Sequence, residues 1–292
     1  MTDRLSTENE QARAFVLCAD DYAISPAVSG GILELLAASR LTATGAMTNR
    51  PAWRGWAGAL APYADRADLG VHLNLTCGAP LGPMPLLAPE GALPALGPVI
   101  RAAQSRRGRA EIAQEIERQL DAFESAAGRP PDFVDGHQHV HAMPGIGAAL
   151  IAILARRYGS RRRFYVRDPA DRIAAILRRP ASAKAMIVLA LAAGFGARAR
   201  AAGLRTNRGF SGFSAFAPVG DYGAELTGAL HGLGAAHLAM CHPGRVDAEL
   251  RSADSVVDTR PRELAFLAGD GFSELLSARH LRLGRMSDML GA

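Results

Sequence analysis

Short apolar runs alternate along the chain with longer stretches in which apolar residues recur at helical spacing. The runs predict seven strands, at residues 14–20, 42–49, 69–75, 132–136, 163–168, 208–213 and 236–242. A helix is predicted at residues 26–40, where Ser25 is placed as the N-cap and Pro26 occupies the favoured first position. A second helix is predicted at residues 109–127 from its amphipathic spacing. This order predicts βα units around a parallel sheet.

Two segments depart from the plain alternation of strands and helices. Residues 77–98 form a loop rich in proline and glycine that is too long for a simple connector, so we expect it to shape a cleft. Residues 170–202 are apolar and rich in arginine, and we interpret them as an elaboration between the fifth and sixth strands. A single domain over residues 1–292 is expected, because α/β barrels commonly reach this length as one domain.

The charge of the chain does not indicate a nucleic-acid partner. The formal net charge is +5 at pH 7, but Lys184 is the only lysine, so the excess consists of arginine. The densest basic cluster, residues 156–163, suits the negative pole at the end of a helix. Binding to DNA or RNA is therefore not expected.

The cysteines and the apolar segments indicate the cellular location of the protein. Cys18, Cys77 and Cys241 are widely spaced and form no CxxC pair, which fits a reducing compartment. Residues 1–14 are polar and lack the apolar core of a secretory signal, so a cytoplasmic location is expected. The apolar run within residues 185–203 is about a dozen residues long, too short to span a bilayer. It predicts a buried or interfacial helix and leaves peripheral membrane contact open. The formation of a homodimer is also open.

Side chains capable of catalysis or metal binding fall at the ends of the predicted strands. They are Asp20 and Asp21 at the end of the first strand, Asn49 at the end of the second, His72 in the third, His137 after the fourth, Arg167 in the fifth and His242 in the seventh. In parallel βα folds catalytic groups lie at the carboxyl ends of strands, where the loops converge. Each residue alone has a structural explanation, such as a helix cap, a core histidine or a turn. Their joint placement indicates a functional site.

The stretch DFVDGHQHVH, residues 132–141, places three histidines at alternate positions. If the backbone stays extended, Asp135, His137, His139 and His141 lie on one face, and a cation or the Asp135 carboxylate would offset the repulsion between protonated imidazoles. Alternate side chains are about 6.5–7 Å apart at their bases, so one histidine as a ligand is more consistent than three.

A ligand set can be completed from other strands. Asp21, His72 and His137 would supply one carboxylate and two imidazoles and leave coordination positions open, as in catalytic sites. These donors suit zinc and, with added waters, manganese, cobalt or magnesium.

Four segments resemble a known family in the order in which they occur along the chain. They are CADDYAISPAVSGGILELLAASRLTATGAMTN from residue 18, LGVHLNLT from residue 69, DGHQHVH from residue 135 and MCHPG from residue 240. They resemble the signature segments of the YdjC-like carbohydrate deacetylases, which include the chitooligosaccharide deacetylases. Tyr22 stands where many members have phenylalanine. The apolar segment at residues 185–203 also resembles a branch associated with hopanoid biosynthesis, for which a lipid-linked substrate is expected.

The resemblance implies an irregular (βα) TIM-like barrel and the metal-dependent removal of an acetyl group from an N-acetylated amino sugar. The substrate class would be an oligosaccharide or glycolipid that contains N-acetylglucosamine. By motif position Asp21, His72 and His137 would hold one divalent metal ion, Asp20 would be the general base and His242 the acid. The remaining candidates, assigned to sugar contacts or to support of the ligands, are Asn49, His139, His141 and Arg167. Two alternatives are a metal-dependent hydrolase of another amide, ester or phosphoester, and a sugar-binding protein without turnover.

Overall fold

The computed structural model describes residues 12–217 and 219–291, so most of the polar opening of the chain, residues 1–11, lies outside it. The strands are β1 (Arg13–Tyr22), β2 (Ala43–Ala46), β3 (Asp68–Leu73), β4 (Phe133–Gly136), β5 (Tyr165–Val166), β6 (Arg205–Thr206), β7 (Phe210–Ser211), β8 (Leu238–Cys241) and β9 (Leu281–Leu283). The first helices are α1 (Pro26–Ala37), α2 (Trp53–Trp56), α3 (Leu96–Ala102), α4 (Arg106–Ala127) and α5 (Ile146–Tyr158). The later ones are α6 (Ile173–Ile176), α7 (Ser182–Leu191), α8 (Phe195–Ala201), α9 (Tyr222–Ala229), α10 (Ala248–Ala253), α11 (Arg260–Ala268), α12 (Asp270–Ala278) and α13 (Met286–Gly291). Two 3₁₀ segments, Ala57–Tyr63 and His137–Ala142, complete the elements.

The strands form one curled parallel sheet, which confirms the predicted irregular, TIM-like α/β barrel. The strand order is β6, β5, β4, β3, β2, β1, β8, β7, and β9 pairs with the start of β1. β6 and β7 lie within seven residues of chain, so one kinked segment pairs with β5 at its start and with β8 at its end. The kink falls at Gly209, whose φ of 126° favours glycine. The sixth predicted strand covers β7, whereas the two-residue β6 was missed.

The helices begin and pack largely as the sequence predicts. The Ser25 hydroxyl accepts a hydrogen bond from the Val28 amide and caps α1, which ends at Ala37, before the predicted end. The hydroxyl of Ser105 caps α4 in the same way. The core face of α4 is buried against the sheet and consists of Ile112, Ile116, Leu120 and Phe123. This packing holds α4 against the outside of the curled sheet.

The elaboration predicted at residues 170–202 consists of three short helices, α6, α7 and α8. In the described part of the chain, no single helix is long and apolar enough to cross a membrane. α7 and α8 pass that test only as a pair, and they are bent by 45° relative to each other.

A buried histidine joins the two strands at one end of the curled sheet. The amide of Gly234 donates to Nδ1 of His237 at 3.1 Å, so the Nε2 hydrogen of the same ring is donated to Oγ of Ser211, 2.8 Å away. Burial, reinforced by the positive charge of Arg179, lowers the pKa of His237 to about 3. The native fold therefore requires the neutral ring.

Acidification is predicted to destabilise the fold through His237. Its pKa in the folded state lies below the unfolded value of 6.5, so its contribution is complete above pH 6.5 and is lost as the pH falls towards 3. Each pH unit in this window changes the free energy of unfolding by up to about 1.4 kcal/mol. Chemical denaturation between about pH 7 and about pH 5 measures this slope. The slope should be shallower in His237→Asn and unchanged in His231→Asn, at an exposed site. Equal slopes in wild type and His237→Asn would contradict this assignment.

Candidate metal centre

A bulge at the end of β1 brings two adjacent carboxylates to the same side of the sheet. Neighbouring side chains of a regular strand point to opposite faces. Here the register between β1 and β2 shifts between Ala19 and Tyr22, and Asp21 has a φ of 68°. Asp20 and Asp21 are both buried, and each contacts side chains from the other strand ends inside the barrel.

Asp21, His72 and His137 form a compact donor cluster at these strand ends. Oδ1 of Asp21 lies 2.9 Å from Nδ1 of His137 and 3.3 Å from Nε2 of His72. Donor atoms about 2.0–2.2 Å from a shared ion are separated by roughly 3 Å, so this spacing suits metal coordination. All three side chains are buried.

The Asp135 carboxylate orients His72 from the neighbouring strand. The two residues are paired in the β3–β4 register, and Nδ1 of His72 lies 2.7 Å from Oδ1 of Asp135. In the neutral ring that metal ligation requires, this contact keeps the hydrogen on Nδ1 and leaves the lone pair of Nε2 facing Asp21. Burial lowers the pKa of His72, but Asp135 and Asp20 outweigh it and raise the pKa to about 10. The carboxylates thus favour positive charge at this position.

A glycine on β2 makes room for this pair. A Cβ atom at Gly45 would come within 3.1 Å of both Oδ1 of Asp135 and Cβ of His72. A side chain there would therefore press on the histidine and its carboxylate partner together.

Arg167, at the end of β5, is a fully buried cation that bridges two carboxylates. Its Nη1 and Nη2 atoms donate to the two oxygens of Asp20 at 2.7 and 2.6 Å, and Nη2 also pairs with Asp135. Burial raises the pKa of the Asp20 carboxyl, but the Arg167 guanidinium outweighs that effect and holds the pKa well below its usual range. Asp20 is consequently ionised and fixed in orientation.

The Arg167 contacts also distinguish two groups of potential ligands. Cys18, Asp20 and Asp135 offer atoms as close together as those of Asp21, His72 and His137. Arg167 contacts all three members of the first group, with Nη2 at 3.1 Å from Sγ of Cys18, so a cation already occupies that position. Burial also raises the pKa of the Cys18 thiol, which disfavours the thiolate.

Arg260, at the start of α11, holds the other oxygen of Asp21. Its Nη2 donates to Oδ2 of Asp21 and to Oδ2 of Asp254, both at 2.7 Å. Oδ1 of Asp21 is left to face the two imidazoles. Sequence analysis missed Arg260, which lies 239 residues from Asp21 along the chain and carries no local motif.

The net charge of the cluster fits a divalent cation. Four carboxylates face two guanidinium groups, and the members are Asp20, Asp21, Asp135, Asp254, Arg167 and Arg260. With both imidazoles neutral, as metal ligands are, the excess of two negative charges is what a divalent ion would neutralise, and buried charges require such compensation. The mixed oxygen and nitrogen donors suit zinc, manganese or cobalt.

His242 follows β8 and lies at the partly exposed rim of the cluster. Its backbone amide donates to Oε2 of Glu263 at 2.6 Å, and its ring lies edge-on to Phe216 with the centroids 5.3 Å apart. Desolvation lowers the pKa of His242 to about 4, against the opposing effect of Asp21 and Asp20. The ring is therefore neutral near pH 7.

The extended conformation considered for the histidine run is wrong. The chain turns into the 3₁₀ segment His137–Ala142 directly after β4, with φ of 52° at Gln138 and 57° at His139. His139 then packs against Phe210, and burial lowers its pKa well below the usual value. His141 donates from Nε2 to the carbonyl of Arg167 at 2.9 Å. Among the three histidines, only His137 reaches Asp21.

Asn49 lies at the carboxyl end of β2, as predicted, and connects to the long loop. Its Nδ2 donates to the carbonyl of Ala79, and its Oδ1 accepts from Nδ2 of Asn74. The side chain also lines a surface cavity of about 880 Å³ together with Arg50 and Leu81. The amide of Asn49 thus anchors the loop that borders this cavity.

Comparisons with known proteins agree with this architecture. A carbohydrate deacetylase of Mus musculus is 35% identical over 165 residues, which cover 54% of this chain and 51% of the mouse protein. The match thus spans about half the length of that relative. A chitooligosaccharide deacetylase of Serratia marcescens is 29% identical over 279 residues, which cover 95% of this chain and 99% of that protein. The Enterococcus faecalis V583 protein provisionally described as a cellobiose-phosphate cleavage protein has a similar fold. Its crystal structure gives a TM-score of 0.72 at 21% identity over 96% of this chain and 99% of that one.

The family itself is identified by a sequence model. The model described as YdjC-like protein matches residues 14–278, which include every strand end of the cluster. The chain therefore belongs to the YdjC-like protein family.

Proposed function

We propose that this protein is a metal-dependent deacetylase that hydrolyses the acetamide of an N-acetylated amino sugar. The observation that carries the proposal is the donor cluster of Asp21, His72 and His137, with Asp20 and His242 beside it. The names of the mouse and Serratia relatives support a carbohydrate substrate and a deacetylation. We further propose that residues 1–292 act as a single catalytic domain.

In this proposal Asp21, His72 and His137 hold one divalent ion. When bound, such an ion polarises an acyl carbonyl and lowers the pKa of water to near neutrality. Asp135 fixes the tautomer of His72, and Arg260 fixes the orientation of Asp21. These contacts keep the three donor atoms in position before a ligand arrives.

Asp20 acts as the general base. A carboxylate that is ionised at neutral pH can accept a proton from the attacking water if it lies within hydrogen-bond reach. Arg167 supplies the first requirement, because it keeps Asp20 ionised, and it fixes the orientation of the carboxylate by donating to both oxygens. Arg167 is thus a positioning residue in this account.

His242 delivers a proton to the nitrogen of the leaving amine, which is a poor leaving group without it. Because His242 is neutral near pH 7, it has to take up a proton during turnover. The proton accepted by Asp20 is one source, since the Asp20 charge acts on His242 across the site. His242 is partly exposed, so a substrate can approach it.

The remaining candidates support the site or border the sugar. His141 is tied to the backbone of Arg167, and Asn49 to the long loop, so we assign both to support. His139 contacts the rings of Phe210 and Phe213, and all three residues are buried, so we assign His139 to support as well. Phe216 is partly exposed and packs on His242. We propose that Phe216 contacts the sugar. An oligosaccharide and a glycolipid are both compatible with it.

Removal of the metal is predicted to abolish the release of acetate. The test incubates metal-loaded protein with N-acetylglucosamine oligomers and a glycolipid that carries N-acetylglucosamine, and measures acetate. Release should disappear after chelation and return when zinc, manganese or cobalt is added. His137→Ala should fall to background, while His231→Ala, at an exposed site, should match wild type. Phosphoesters and other acyl esters serve as competing substrates, and turnover of these alone would contradict the proposal.

The contact between His72 and Asp135 is predicted to strengthen metal binding. Loss of such an outer partner typically weakens metal affinity by about 10–100-fold. Asp135→Asn should show this loss in a competition assay with a chromophoric chelator. Asp65→Asn, at an exposed carboxylate, should not. Unchanged affinity in a folded Asp135→Asn protein would show that Asp135 does not act on the metal.

Asp20 and His242 are predicted to matter for turnover and less for metal binding. Loss of a general acid or base lowers the rate by about a hundredfold to ten-thousandfold. Asp20→Asn and His242→Ala should therefore lose kcat while retaining one metal ion per chain. Full activity in both variants would contradict these two roles. Sugar binding by wild type without turnover, unchanged in both variants, would replace the enzymatic role with a sugar-binding one.

A further inference from the structure

The helices that follow β5 expose an unusual share of apolar surface. Seven large hydrophobic side chains are exposed in the described chain, and four of them lie on or next to α6 and α7. They are Ile173, Leu177, Ile187 and Leu191, with exposed fractions of 55%, 63%, 61% and 37%. α6 and α7 contact each other, so these residues belong to one part of the surface.

The exposure on α7 arises because this helix is apolar on both of its faces. Ile187 and Leu191 are four residues apart and share a face of the helix, together with Lys184 one turn earlier. The opposite face is buried against the core through Ala185 and Val188. The outer face is thus apolar by sequence, and packing inside the chain does not cover it.

The segment that carries this surface has charges of a single sign. Residues 172–220 contain no aspartate or glutamate, although the whole chain has 28 of them, and the same stretch carries eight cationic side chains. In the described part of the chain, Arg178, Lys184 and Arg198 form no ion pair with a carboxylate. An apolar face bordered by unpaired cations is the pattern of helices that lie on anionic lipid.

The composition also argues against a second copy of the chain as the occupant. A symmetric dimer through this face would bring the same patch of each subunit together. The cations of residues 172–220 would then face each other, and that segment contains no carboxylate to compensate them. An anionic bilayer supplies the complementary charge and an apolar phase for the exposed side chains.

The surface lies next to the mouth of the candidate site. Nζ of Lys184, near the start of α7, lies 4.1 Å from the centroid of the Phe216 ring. Phe216 in turn packs on the ring of His242. A flat surface that contacts α7 would consequently lie close to the rim at which His242 is exposed.

We infer that the outer face of α6 and α7, with the flanking cations, docks the protein on an anionic membrane surface. Ile187 and Leu191 enter the interfacial region, while Arg178, Lys184 and Arg198 contact lipid headgroups. Docking in this orientation places the opening beside His242 near the bilayer. This inference is independent of the reaction that the site catalyses.

Vesicle flotation with the full chain tests the inference. Wild type should float with vesicles of phosphatidylcholine mixed with phosphatidylglycerol, bind much less to pure phosphatidylcholine, and be released by salt. Ile187→Ser/Leu191→Ser should lower binding at least tenfold. Leu81→Ser/Leu86→Ser, at two exposed leucines outside this surface, should bind as wild type does. Arg178→Gln/Arg198→Gln should lose the preference for anionic vesicles.

Two results would overturn the inference. One is a lack of binding to anionic vesicles by a folded wild-type protein. The other is equal binding by wild type and Ile187→Ser/Leu191→Ser. Light scattering in solution identifies the competing occupant, because a dimer that dissociates in Ile187→Ser/Leu191→Ser would assign the face to a second copy. Thermal unfolding confirms that each variant is folded.

Discussion

The buried ion pairs of Arg167 and Arg260 are the constraint on which the rest of the site depends. Without them, Asp20, Asp21 and Asp135 would be buried carboxylates with little compensating charge, and each such ion is destabilised by several kcal/mol. Arg167 reaches from β5 to β1 and β4, and Arg260 reaches from α11 to β1. These ion pairs compensate the buried charges. They therefore also connect elements that are far apart along the chain.

The barrel and the bulge in β1 place the charged side chains of this network together at one end of the sheet. The parallel strands bring side chains from β1, β3, β4, β5 and β8 to one end of the sheet. The left-handed conformation of Asp21 then turns its carboxylate to the same side as Asp20, so that one residue faces the histidines while its neighbour faces Arg167. Backbone strain of this kind is typical of functional sites, and the surrounding hydrogen bonds hold it in place.

Much of this arrangement could be predicted from the sequence, because strand ends are visible in the local pattern. The rule that catalytic groups follow parallel strands identified Asp20, Asp21, His72 and His137, which the structure brings together, and His242 at their rim. The pattern could not reveal Arg260 and Asp254, whose role arises only from tertiary contact. It also failed at Gln138 and His139, since positive φ at these residues is imposed by the fold and neither position holds a glycine. The space that Gly45 on β2 leaves for Asp135 on β4 likewise depends on tertiary contact across the sheet.

The most important feature of the proposed site is one divalent ion held by Asp21, His72 and His137. Anomalous diffraction from crystals of the metal-loaded protein tests this most directly. The account predicts a single strong peak about 2.0–2.2 Å from Oδ1 of Asp21, Nε2 of His72 and Nδ1 of His137, with Arg260 still bonded to Oδ2 of Asp21. A peak among Cys18, Asp20 and Asp135 with Arg167 displaced, or no peak at the cluster in metal-loaded crystals, would contradict it.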